Sequence, residues 1–229
     1  MNRLCAIALL LAVTVALAAA ADAEWRRVLD RDGIVVAVRP VDGSDLDEFR
    51  GVATIKAPLA VVAAVVRHVE GHPAWMDRTQ SARVVRRSGP RTEILYHVSG
   101  APWPLKDRDL VSRREEIWKL DERKVVFRFR DTQDADVPPR EGLVRITQLR
   151  SRWELTWLGA NSTQAVYVNR ADPGGAIPIS IANSQSKNVP FNTLRNLRRV
   201  AKSGRYDGMA GESELGRRIA TLAAAGEWK

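Results

Sequence analysis

Between residues 83 and 170, apolar and polar side chains alternate with a period of two, and the chain is organised around this pattern. In 125–130, Val125, Phe127 and Phe129 point one way while Val126, Arg128 and Arg130 point the other. Residues 92–98 alternate as well, with Ile94, Tyr96 and Val98 on one face, and Trp153, Leu155 and Trp157 share a face of a later strand. Residues 163–170 read as the last strand. Such alternation over consecutive strands predicts one antiparallel sheet with one face on the core and one wet face. Ahead of it, 34–39 and 49–55 read as two β-branched strands, joined through the turn Asp42-Gly43-Ser44 and paired antiparallel.

Helical spacing replaces the alternation elsewhere. Residues 24–31 are predicted as a short helix with Trp25, Val28 and Leu29 on one face. Pro58 suits the first turn of a second helix, whose broad stripe of Leu59, Val62, Val65, Val66 and Val69 implies packing against the sheet. It ends near Glu70-Gly71, before His72-Pro73. After the turn Asp172-Pro173-Gly174-Gly175, a long helix is predicted from Pro178 to about Ser203, interrupted or kinked at Pro190. Leu194, Leu197 and Ala201 share one of its faces; Arg195, Arg198, Arg199 and Lys202 share another, which reads as a solvated face or as a contact for anionic headgroups. Residues 206–211 form a glycine-rich linker, and 213–225 a final helix with Leu215, Ile219 and Leu222 aligned.

One connection in the sheet stands apart. Pro102-Trp103-Pro104-Leu105-Lys106-Asp107-Arg108-Asp109 is longer and stiffer than a hairpin needs, and its prolines hold a lone tryptophan in extended backbone. It covers something: either an ordinary core, or an opening.

Composition changes this picture in two respects. Met1-Asn2-Arg3, an apolar run over 4–17 and small residues to Ala23 have the layout of a secretory signal, with cleavage between 19 and 23. The expected division is therefore a signal at 1–21, a domain over 24–205, and the linker with its short helix over 206–229, in an exported protein that is periplasmic or secreted. The single cysteine, Cys5, falls inside the signal, so disulfides, thiolate metal sites and cysteine nucleophiles are excluded from the mature chain. The formal net charge is +9. For an exported protein, that charge directs attention to anionic lipid surfaces and away from nucleic acid.

Motifs for catalysis are sparse. His68 and His72 have metal-pair spacing, but His72 precedes Pro73 at a helix end, and no metal is expected there. His97 neighbours Tyr96 in an alternating strand, so the two cannot both face inward; a surface or strand-edge position is expected for His97. Gly174-Gly175 lacks the Lys-Ser/Thr continuation of a phosphate loop, and Asp107 and Asp109 read as partners of Arg108 and not as a catalytic pair. Leu110, Ser112, Arg114, Glu116 and Trp118 share a face; if it is the inner one, Arg114 sits in an apolar enclosure and must be paired there or meet a ligand's polar head. Glu116 is one candidate partner. The many aromatic residues describe a plain core or a core that also lines a ligand pocket.

The order and spacing of Gly33-Ile34-Val35-Val36, His72-Pro73-Ala74-Trp75-Met76, Tyr96-His97-Val98 leading to Pro102-Trp103-Pro104 and Arg108-Asp109, and Asp172-Pro173-Gly174-Gly175 before Ile177-Pro178 and Ala182-Asn183, resembles the START (steroidogenic-acute-regulatory-related lipid-transfer) domain family. That resemblance covers roughly 25–205 and implies an α+β helix-grip, or Bet v 1-like, fold. A curved antiparallel sheet would wrap a long C-terminal helix and enclose a hydrophobic tunnel. It implies non-catalytic lipid binding or transfer without a cofactor, by a monomer that touches anionic membranes transiently. By position, residues 100–107 would form the mouth with Trp103 at the tip, and Arg114, five residues after Asp109, would stand in the tunnel. The acid that some members pair with such an arginine falls near Ile94 or Leu95, where this chain has none. Trp75, Met76, Tyr96, Trp103, Arg114 and Trp118 are the expected ligand contacts on the first half of the tunnel wall. Phe127, Phe129, Trp157, Ile181 and Leu194 are expected on the second. The alternatives are a cyclase- or hydrolase-type enzyme on the same fold, and a basic scaffold without a pocket.

Overall fold

The computed structural model describes residues 25–175 and 177–228. Its first element corrects the sequence reading: Arg26–Arg31 is an edge strand, β1, and not a helix. A bulge between Arg27 and Leu29 in its pairing gives Val28 and Leu29 an offset that imitates helical spacing, and both side chains reach the core. Trp25 lies instead between the guanidinium groups of Arg39 and Arg50, each 4.6 Å from its ring centre.

β2 (Ile34–Val41) and β3 (Ser44–Ile55) follow as the expected antiparallel pair. Next come α1 (Leu59–Arg67) and a 3₁₀ helix (Val69–Ala74). The strands β4 (Thr79–Gly89), β5 (Thr92–Ser99), β6 (Arg108–Lys119), β7 (Lys124–Asp131), β8 (Val144–Arg145), β9 (Leu149–Gly159) and β10 (Ser162–Ala171) then run in sequence. All belong to one sheet in the order β1-β2-β3-β10-β9-β7-β6-β5-β4, with β8 parallel beside β6. The antiparallel pairing of β10 with β3 joins the early hairpin to the later strands and lets the sheet curve around its helices.

Four helices complete the described chain: α2 (Ile179–Ser186), α3 (Asn188–Ala201), α4 (Asp207–Glu212) and α5 (Glu214–Ala224). The break between α2 and α3 falls at Lys187, not at Pro190. Pro190 sits in the first turn of α3, where its missing N–H removes no helical bond. α3 lies on β2, β3 and β10 beside α1, and it approaches β3 at Gly51. A Cβ on Gly51 would stand 2.7 Å from Leu194 Cδ1 and 2.8 Å from Pro190 Cβ, so only glycine admits the helix at this depth. The inward Val125, Phe127, Trp153 and Leu155 share one core cluster with α1, whose Leu59 and Val61 to Val66 are all buried. Each buried Val, Leu or Phe among them contributes about 1.5–3 kcal/mol.

Two further expectations change. Residues 207–212 are helix α4 and not a linker, and Tyr206 before them is buried with its hydroxyl 3.0 Å from His68 Nδ1. α4 and α5 both pack on α1, and Trp228 closes the core edge-on against Trp157 with ring centres 5.3 Å apart. The outer face of the sheet is also not uniformly wet. Ile94, Tyr96, Val98 and Val111 form a second apolar cluster there under Val137 and Leu143.

Candidate functional site

A broad concavity opens where β5, β6 and β10 approach α2. It has a volume of 840 Å³, within the range of pockets that take a small apolar molecule. Gly100, Ala101, Pro102 and Leu105 wall one side, Ile146 and Ala171 the floor, and Ile181, Ala182 and Val189 the helical side. Arg78, Gln80, Arg108 and Asn169 supply the polar rim.

The loop over this mouth is held at its base. Asp107 accepts hydrogen bonds from the Ala101 amide at 2.9 Å and Gln80 Nε2 at 3.0 Å, which keep its carboxyl below the usual carboxylate range. Arg108 donates to the carbonyls of Lys106, Pro173 and Gly174, so one guanidinium ties the loop to the segment that leads into α2. Asp109 points to the opposite face, where Arg145 donates to both its oxygens at 2.8 and 2.9 Å and Tyr96 Oη at 3.0 Å. Burial pushes the Asp109 carboxyl up, but those donors outweigh it and hold it below its ordinary value. Arg108 and Asp109 therefore anchor the two sides of the strand start. Trp103, at the tip of the loop, is 92% exposed.

The expected contacts do not converge on one cavity. Ile181 lines the mouth. Trp75, Phe127, Phe129, Trp157 and Leu194 are buried in the main core, with Met76 packed against it. Tyr96 faces the outer cluster, because both faces of β5 are covered and apolar alternation there does not distinguish inside from outside. Arg114 and Trp118 line a separate pocket of 260 Å³ beneath α5, at the other end of β5 and β6.

Arg114 is inward and buried, and its acid is present. Glu93 stands directly opposite it on β5 and accepts from its guanidinium; the other Arg114 nitrogen donates to the carbonyl of Arg67 at 2.7 Å and, more weakly, to that of Val66. The position expected from the resemblance, Ile94 or Leu95, lies one or two residues too far along the strand. Glu116 pairs with Arg67 at 2.8 Å and accepts from Trp118 Nε1 at 2.6 Å, so it is not the partner of Arg114.

His97 is the largest departure. It is buried and meets His72 with Nε2 to Nδ1 at 2.9 Å, the rings stacked. His72 Nε2–H donates to the Val66 carbonyl at 3.0 Å, so His72 Nδ1 accepts from His97 Nε2–H, and His97 Nδ1 has no partner among the described residues. Burial lowers both, His97 to about 4, and the pair is neutral at pH 7. The two rings bolt the 3₁₀ helix to β5 and do not line the mouth. Among the described residues, no three metal-ligating side chains cluster. Ile146, Ala171 and Val189, which do line the mouth, are absent from the sequence expectations; the one signal is the Pro- and Gly-rich turn before α2, which follows Ala171 at the end of β10.

The basic stripe of α3 is partly committed to structure as well. Arg198 donates to the carbonyl of Asp32 at 2.7 Å, and Arg199 to that of Ala74 at 3.0 Å.

A curved antiparallel sheet around C-terminal helices, with a mouth under a stiff loop, defines a helix-grip protein. The START domain family model matches residues 9–205, and the chain belongs to that family. It is 30% identical over 179 residues to the uncharacterized protein PA1579 of Pseudomonas aeruginosa, covering 78% of this chain and 87% of that one. The crystal structure of a STAR-related lipid transfer protein from Xanthomonas axonopodis superposes with a TM-score of 0.72 at 32% identity, over 79% of this chain and 99% of that one. Human STARD10 gives a TM-score of 0.73 at 18% identity, over 86% and 82% of the two chains, a likeness of fold. The family match ends at residue 205, ahead of α4 and α5.

Proposed function

We propose that the protein binds one lipid or similar hydrophobic molecule at the mouth between residues 100–107 and α2, and passes it between membranes without chemical change. One observation carries this reading: an apolar cavity of 840 Å³ with few polar groups at its rim, under a loop anchored at its base and exposed at its tip. Its neighbours named as lipid transfer proteins support the same reading. Burial of an acyl chain at about 25 cal/mol per Å² is ample for micromolar binding after association costs. Arg114, paired and at the far end of the sheet, is a structural residue in this account. Export remains part of the proposal and rests on the signal-like residues 1–21.

Extraction of the purified protein followed by lipid mass spectrometry tests the reading. A copurifying or exchangeable lipid that is lost on Ile181→Asp or Val189→Asp is expected. A protein that carries none, and takes none from vesicles, would overturn it.

A further inference from the structure

The outer face of the sheet carries a ladder of arginines. Arg170 pairs with Arg150 across β10 and β9, Arg150 with Arg130 across β9 and β7, and Arg130 with Arg113 across β7 and β6. Paired residues point to the same face, so four guanidinium groups stand in register on four adjacent strands. At the ordinary strand separation they span roughly 14 Å. Arg128 and Arg152 form a second such pair one row away. Like charges directly opposite each other in a sheet are unfavourable, and folding alone gives no reason to align them.

The nearby carboxylates neutralise one end of the row, Arg113, and leave its other three members unpaired among the described residues. Glu115 pairs with Arg113 at 3.0 Å, Glu154 with Arg152 at 3.0 Å, and Glu48 with Arg39 at 2.9 Å. Arg128, Arg130, Arg150 and Arg170 make no ion pair or hydrogen bond among the described residues, and the first three are exposed. Their position relative to the mouth matters more than their number. Arg170 is followed at once by Ala171, whose side chain faces the mouth cavity, so the ladder reaches the same end of the sheet from the outside. Exposed Trp103, Leu105 and Ile181 stand around that mouth. A cationic row beside an exposed apolar rim matches a bilayer, which offers phosphates at its surface and hydrocarbon beneath. A soluble polyanion has no use for the rim.

We propose that this ladder is a docking face for the phosphates of an anionic bilayer, and that it holds the mouth against the membrane. The proposal takes the mouth to be the lipid site, as above. Its test is sedimentation of the purified protein with vesicles of phosphatidylcholine, with and without phosphatidylglycerol. Arg130→Gln, Arg150→Gln and Arg170→Gln are combined in one variant, and a variant of equal charge (Lys56→Gln, Arg195→Gln, Lys202→Gln) is the control. The ladder variant should lose vesicle affinity on the order of tenfold or more, and the control far less. Its melting temperature should stay or rise, since like charges are removed. It should still take up a monomeric fluorescent fatty acid from solution. Equal losses in the two variants, or binding to neutral vesicles as tight as to anionic ones, would overturn the proposal. So would soluble polyphosphate that binds the ladder more tightly than vesicles do. Failure of the wild type to take up the fatty acid, with vesicle binding still governed by the ladder, would remove the lipid-site reading and leave the docking face standing.

Discussion

Glu93 and Arg114 face each other across β5 and β6, and through this pair the end of α1 is fastened to the sheet. The guanidinium also donates to the carbonyls of Val66 and Arg67, two of the last acceptors of α1, where a cation is favoured by the helix dipole. Arg67 and Glu116 repeat the arrangement beside it. Both members of the first pair are shielded, with side-chain exposures of 5% and 14%. Removal of the arginine leaves the Arg67 carbonyl without its donor and Glu93 with only the exposed Arg87, while the Val66 carbonyl keeps His72. Arg114→Leu should therefore cost about 3–5 kcal/mol in urea unfolding. Its lipid uptake under folded conditions should match the wild type, because Arg114 lies away from the mouth. A variant that stays stable but no longer binds lipid would restore Arg114 to a ligand role.

That pair also shows where sequence reading succeeds and where it stops. The face shared by Ser112, Arg114 and Glu116 was legible, because β6 alternates plainly and its inner residues are buried. The partner strand was not. On β5 every residue from Ile94 to Val98 is buried, since residues near Val137 and Leu143 cover its outer side. Alternation carries information only when one face is wet. Alternation therefore places Tyr96 inward and His97 outward, the reverse of their positions in the structure. The same ambiguity hid Glu93, because register is set by turns and bulges that composition does not reveal. The antiparallel strand pattern, α1 and the loop carrying Trp103 are legible in the sequence, but β1 and the short β8 are not; the depth at which α3 docks and the packing of 206–228 depend on tertiary contact.

The buried histidines make stability depend on pH. Unfolded, each titrates near 6.5; folded, burial lowers both and places His97 near 4. Between these values the unfolded chain binds protons that the folded chain excludes, so stability rises with pH across this window. It is fully present above about pH 6.5 and is lost progressively as pH falls toward 4. His97→Asn should change the slope of melting temperature against pH between 6.5 and 4. An unchanged slope would mean that His97 is protonated in the fold or reached by water.

Residues beyond the family match behave as core. Trp228 is 5% exposed and packs on Trp157, and Leu215 and Ile219 join the same cluster. Trp228→Ala removes a large buried ring that its neighbours cannot replace, at a cost of about 3–5 kcal/mol. Calorimetry of this single variant is the check. A change below about 1 kcal/mol would show that 206–228 is an appendage and not part of the domain.

Trp103 presents the opposite case. A ring that is 92% exposed contributes almost nothing to the folded state, and Trp103→Ala should shift stability by no more than about 0.5 kcal/mol. The exposed indole still carries an apolar surface that prefers a membrane interface, at the tip of a loop whose base is fixed by Asp107 and Arg108. Its loss should slow lipid exchange between vesicles and leave uptake of a monomeric fluorescent lipid from solution unchanged. The two measurements separate roles: uptake from solution reads the cavity, while exchange between vesicles reads its delivery to a bilayer. Equal slowing of both would place Trp103 inside the binding step. A large fall in melting temperature would make the loop an ordinary part of the core, with the tryptophan folded inward in solution.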